Sequence, residues 1–174
     1  MKKNFKNIEV LNIVAYVNNM SKEKVDELPL KFRWNLKKNM DKLRPIAESY
    51  ETFRNERVQE IQREWFNEEK SEEFMQTKTD ENGEPIKDEE GNEITEPMRK
   101  IKDEYMEEYQ KTVGELNGKL NEIAYEDNEV DIATIDFDTF IDGLPDESKI
   151  DFDDITMLSF MDTTTNVIDD KEVE

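Results

Sequence analysis

The chain has 174 residues, with 24 Lys and Arg against 45 Asp and Glu, a formal charge of −21, and neither His nor Cys. The missing Cys excludes a disulfide framework and thiolate chemistry; the missing His excludes imidazole metal sites and Ser-His catalysis. No apolar run approaches the roughly 18 residues of a membrane span, and the polar start MKKNFKNIEV does not read as a signal peptide. A chain that is soluble and intracellular at synthesis is expected. Charge changes sign along it: residues 1–66 hold 14 basic and 10 acidic side chains, residues 67–125 hold 8 and 18, and residues 126–174 hold 2 and 17. That field repels nucleic-acid backbones, so direct DNA or RNA binding is not expected. The acidic third reads as a solvated surface with a tail. Alternatively it folds against the basic segment Lys31, Arg33, Lys37, Lys38, Lys42 and Arg44, or it mimics DNA.

In chain order, Ile8, Leu11, Ile13, Val14 and Val17 recur at helical spacing and predict a short first helix from Asn7 to about Met20. Ser21 can cap one further turn. Leu28-Pro29 breaks the pattern, and a second helix starts near Pro29 with the stripe Phe32, Leu36, Met40 and Leu43. Pro45 predicts a kink or break. The stripe resumes as Ile46, Ala47, Tyr50, Phe53, Val58, Ile61 and Trp65, giving a long amphipathic helix over 46–73.

Within 74–97, Asp80-Glu81-Asn82-Gly83 with Ile86 repeats eight residues later as Asp88-Glu89-Glu90-Gly91 with Ile94. Asn-Gly and Gly-Asn are turn formers, so short strands near 74–79, 84–87 and 93–95 are expected as a three-stranded meander. Thr95 then caps a third helix with Pro97 in its first turn, its stripe running Met98, Ile101, Tyr105, Tyr109, Val113, Leu116, Leu120 and Ile123. After Asn128 the period becomes that of an extended segment. Two short acid-capped helices follow, at Asp138–Gly143 and Asp151–Met161, and a frayed tail over 163–174.

The expected fold is therefore mainly α. A long antiparallel helical hairpin (1–73 and 96–125, with the short N-terminal helix) carries a β-meander insert (74–95) at its tip and an acidic C-terminal cap (126–162) of short elements.

Leu28-Pro29-Leu30-Lys31 leading to Trp34, Asn35 and Asn39, then Tyr50-Glu51, Arg54, the Asp/Gly-rich insert at 80–92, Leu116 and Val130-Asp131-Ile132 follow an asparagine-rich first helix. In that order they resemble a family of small uncharacterised phage and prophage proteins of low-GC Gram-positive hosts. The resemblance covers most of the chain. It implies a virus-encoded accessory protein without an assigned activity, acting in the host cytoplasm or riding in the virion.

Asp136, Asp138, Asp142, Asp151, Asp153 and Asp154 are candidates for an acidic binding surface. As a calcium loop they fail, because Phe140 falls at a ligand position and Lys149 stands where the bidentate Glu belongs. Helix capping explains Asp138 and Asp151 more cheaply, so neither metal nor cofactor is expected. There is no Walker loop, dinucleotide fingerprint or nucleophile elbow, and among 45 acidic residues a close carboxylate pair arises by chance. No enzymatic activity is expected. Most aromatics fall on the two inward stripes, whereas Trp65, Phe66, Phe74 and Met75 gather near the insert as candidate partner anchors. The leading expectation is a non-enzymatic protein that binds a viral or host protein through hairpin, insert and acidic surface. The alternatives are a DNA-mimicking inhibitor of a host defence nuclease or DNA-binding protein, and a virion or tail-assembly component, which leaves homo-oligomerisation open.

Overall fold

The computed structural model describes residues 1–88 and 90–163. The expected tail beyond Thr163 lies outside them. The protein is mainly α, with a short N-terminal helix, one long helix and two small antiparallel sheets. Its chain forms two compact units: Met1–Phe53 together with the chain from Asn121 on, and Arg54–Leu120. No helix among the described residues is long and apolar enough to cross a membrane.

In the first unit, β1 (Lys2–Lys6) leads into α1 (Asn7–Asn19), and α2 (Lys22–Glu27) starts at Ser21, whose hydroxyl accepts from the Lys24 amide. The long helix α3 (Leu30–Trp65) then runs without interruption through Pro45. Its first half carries Phe32, Leu36, Met40, Leu43 and Ala47 into the core. Pro45 is exposed, so the Asp41 carbonyl that loses its partner can turn to water, while buried Leu43 and Ala47 hold the helix on either side. The expected break is absent for that reason. β4 (Asp127–Asp131) pairs antiparallel with β1, setting Lys3 opposite Val130, both buried. β1 was not among the expected elements, since Lys2–Lys6 becomes a strand through its ladder to β4.

α5 (Phe137–Asp142) and α6 (Phe152–Leu158) close the core. Phe140 stacks on Phe32 with centroids 4.2 Å apart, and Phe137 lies 5.1 Å from Phe140. Leu158, Phe160 and Met161 are buried in the same cluster, Leu144 and Ile155 pack against it, and Ile141 stays exposed. The cap of α5 is Asp136, which accepts from the Thr139 amide at 2.7 Å; Asp138 lies inside the helix, one correction to the sequence reading. Asp151 caps α6 as expected.

The second unit departs further from expectation. α3 stops at Trp65 rather than continuing to 73, because Asn67 turns the chain: its side-chain amide donates to Glu64 O and its Oδ1 accepts from the amides of Glu69 and Lys70. Val58, expected on the inward stripe, is exposed. β2 (Ser71–Thr77) pairs antiparallel with β3 (Thr95–Ile101), so the residues read as the start of a third helix form a strand instead. Pro97 is compatible with either reading. In a two-stranded ribbon both strands are edges, where a missing N–H is tolerated. Helix α4 (Met106–Ala124) begins only after a 3₁₀ turn at Asp103–Tyr105.

Between β2 and β3 the eight-residue repeat folds into two like turns. Asp80 Oδ1 accepts from the amides of Asn82 and Glu84, and Asp88 Oδ1 from those of Glu90 and Asn92, all at 2.9–3.0 Å. Those amides hold both carboxyls below their ordinary range. The segments do not make a meander. Lys78 donates to Ile94 O, Ile86 to Lys78 O and Ile94 to Ile86 O, at 2.8, 2.8 and 2.9 Å. Three backbones thus close a hydrogen-bonded ring, from which the ribbon and the two turns lead off at Thr77–Thr95, Thr79–Pro85 and Lys87–Glu93.

Gly83 and Gly91 sit at φ +83° and +88°, where a Cβ would meet no atom within 4 Å. Backbone strain alone therefore sets the effect of adding one. Gly83→Ala or Gly91→Ala is expected to destabilise the insert locally by about 1 kcal/mol. Amide exchange at Lys78, Ile86 and Ile94 should quicken by about fivefold, with β1 and β4 amides unchanged.

Candidate interaction surfaces

The ribbon β2–β3 alternates its side chains between two faces. At its base Ser71 opposite Ile101 is buried, and the ion pairs Glu72–Lys100 (2.8 Å) and Glu73–Arg99 (2.7 Å) cross the strands. Above them Phe74 faces Met98 on one side and Met75 faces Pro97 on the other. Phe74, Met75 and Met98 are all exposed, Met75 by 62%. Farther out, Lys78–Glu96 (3.0 Å) returns the surface to charge, and Ile86 is exposed in the ring. An apolar waist on both faces, flanked by ion pairs, is the arrangement.

Trp65 and Phe66 lie elsewhere. Trp65 is buried, so it is not the exposed anchor the sequence reading expected: its ring meets Tyr109 edge-on at 5.6 Å, and the Lys70 ammonium lies over it at 4.1 Å. Phe66 is half-buried and meets the same Tyr109 ring at 6.0 Å. Both rings precede the turn at Asn67, whose carbonyl accepts from Ser71, the first residue of β2, through amide and hydroxyl. Met98, absent from the candidate set, joins Phe74 and Met75. Its place opposite Phe74 depends on strand pairing, which its helical spacing with Ile101 and Tyr105 does not signal.

The six candidate acids divide by environment. Asp154 is 1% exposed and so does not belong to the surface: its carboxylate accepts from the Tyr16 hydroxyl (2.7 Å), the Lys24 ammonium (2.7 Å) and the Asp151 amide (2.9 Å). Asp151 is occupied by Lys24 at 2.8 Å and by the Asp154 amide, which hold its carboxyl down to about 2. Asp136 is lowered by the Thr139 amide it caps. Asp138, Asp142 and Asp153 remain exposed without such duties. Among the described residues no three acidic side chains converge where they could hold a metal ion.

No family model, curated protein or solved structure matches the chain.

The basic segment of α3 is only partly engaged. Arg33 reaches Asp26 and Lys42 reaches Asp131, each at 3.5 Å, and Arg44 donates to Asn18 Oδ1 at 3.0 Å. Of the six cations, Lys42 alone meets the acidic C-terminal segment in an ion pair among the described residues. Lys31, Lys37 and Lys38 are exposed and form no ion pair there.

Proposed function

We propose that the chain is a non-enzymatic, phage-encoded accessory protein that binds another protein, viral or host, through the apolar waist of its β2–β3 ribbon. The observation that carries this reading is the pairing of Phe74 with Met98 on one face and Met75 with Pro97 on the other, in a ribbon with two free edges. An isolated two-stranded ribbon is marginal in water, and exposed aromatic and Met side chains are the residue types that anchor interfaces. The helical hairpin belongs to the same reading. Trp65, Phe66 and Tyr109 bring the end of α3 and the first turn of α4 together. The acidic C-terminal cap would give the approach its charge sign and thereby favour a basic partner.

The absence of His, Cys and every nucleophile or nucleotide motif from the sequence supports a binding role over catalysis. DNA mimicry is less well supported, since Asp136, Asp151 and Asp154 spend their carboxylates on capping and on Lys24. Assembly in the host cytoplasm remains the proposed setting.

Affinity capture from phage-infected cells tests the reading. Wild type should retain a partner that the combined Phe74→Ser, Met75→Ser and Met98→Ser variant loses by at least about tenfold, because burying each such side chain stabilises a contact by roughly 1.5–3 kcal/mol. Phe74 and Met98 are 38% and 42% exposed and pair across the ribbon, so amide exchange at Lys78, Ile86 and Ile94 equal to wild type is the control that the ribbon itself is intact. Equal capture by both proteins would reject the ribbon as the contact.

A further inference from the structure

Leu30 and Phe152 are the two most exposed large apolar side chains among the described residues, at 77% and 79%. Trp34, one helical turn beyond Leu30 on the same face of α3, is 57% exposed. The two sites carry opposite charge. Around Trp34 stand Lys31, Lys37 and Lys38, with the Lys38 and Lys37 ammonium groups 5.3 and 6.0 Å from the indole centroid. Phe152 stands beside exposed Asp153, with Asp151 on its other side held by Lys24, in a stretch, 126–163, whose one basic residue is Lys149. Lys149 is itself held by Glu23.

We propose that the protein pairs with a second copy of itself, the lysine-flanked Leu30–Trp34 face of one copy meeting the aspartate-flanked Phe152 face of the other. Both faces belong to the unit formed by Met1–Phe53 and the chain from Asn121 on, so each copy presents the two complementary halves on one compact body. Within one copy Phe152 leaves Leu30 uncovered, and α6 is tied at Asp151 and Asp154 to Lys24 and Tyr16. Association removes Leu30, Trp34 and Phe152 from water and pairs Lys31, Lys37 and Lys38, which form no ion pair among the described residues. Repulsion between two chains of charge −21 decays over a Debye length of about 8 Å at physiological salt, leaving the facing groups to decide. An aromatic ring among lysines also suits single-stranded nucleic acid, but such sites stack successive bases on successive rings, and the start of α3 offers one exposed ring, Trp34.

Sedimentation velocity of the full chain and two surface variants tests the pairing independently of the ribbon. One variant combines Trp34→Ala, Lys37→Glu and Lys38→Glu; the other combines Phe152→Ser and Asp153→Lys. Wild type should associate with rising concentration. Each variant alone should have a dimer Kd at least about tenfold higher. Mixed together they should pair one to one, since each keeps the face its partner lacks. Circular dichroism identical to wild type controls for folding. Wild type that stays monomeric from micromolar to millimolar concentration overturns the proposal, whether or not a single-stranded DNA or an acidic peptide then binds at Trp34. Variants that associate like wild type, or a mixture that fails to pair, overturn it equally.

Discussion

Asn39→Leu is expected to lower stability by about 3 kcal/mol, seen as a reduced urea midpoint at unchanged m. Asn39 lies on the core face of α3 between Leu36 and Leu43 and is wholly buried. Its side-chain amide pairs with the backbone of Ala133 in both directions, donating from Nδ2 to the carbonyl at 3.0 Å and accepting from the amide at 2.8 Å. The contact replaces a rung of sheet hydrogen bonding for a segment that has just left β4. A leucine of similar size fills the space but leaves both Ala133 groups unpaired, each costing about 1–3 kcal/mol when buried. Asn39→Asp should be no better, because it removes the donor and sets a carboxylate against the Ala133 carbonyl. Asn35→Ala should cost less, about 1 kcal/mol, since half-buried Asn35 makes a single 3.2 Å bond to Thr134 O.

Asp154→Ala is the second large effect, again about 3 kcal/mol. The buried carboxylate joins three elements: α1 through Tyr16, α2 through Lys24, and α6 through the reciprocal capping contacts with Asp151. Removing it strands the Tyr16 hydroxyl and the cap together. The same cluster sets the pH limits of stability. Asp151 is held at about 2 in the folded protein, chiefly by its hydrogen bond from Lys24. In the unfolded chain it takes a proton near pH 3.9, so its contribution is complete above about pH 4 and is lost as pH falls toward 2. Tyr16 is pushed up to about 12, first by burial and then by its bond to Asp154. Below about pH 10 its contribution is complete, and it disappears as pH rises through 12, because the unfolded chain releases that proton first. Urea titrations of Tyr16→Phe should accordingly show a shallower alkaline limb than wild type.

The parts of this fold that were legible in the sequence are those whose signals are local. The apolar spacing of Phe32, Leu36, Met40 and Leu43, the cap at Ser21, the break at Leu28-Pro29 and the cap at Asp151 each depend on a few neighbouring residues. The repeat at Asp80 and Asp88 likewise encodes two turns that form as written. What failed depends on distant pairing. Lys2–Lys6 has no strong alternation, and only its ladder to Asp127–Asp131 makes it a strand. Met98 and Ile101 keep helical spacing with Tyr105, yet pairing with Ser71–Thr77 overrides that spacing. Among the candidate contacts, Phe74 and Met75 are exposed, whereas Trp65 and Asp154 are buried. A large aromatic beside an insert, or an aspartate in an acidic run, has the same sequence signature whether it points inward or outward. Asn39 carried a usable clue: a polar residue on the core face of a helix needs a backbone partner.

Photo-crosslinking tests the proposed role most directly. A benzoylphenylalanine placed at Met75 should yield one discrete heteromeric adduct in infected cells. The same probe at Val58, exposed on α3 in the same unit, should yield none. No adduct from position 75, or the same adduct from both positions, would contradict the ribbon as the surface by which this protein is held.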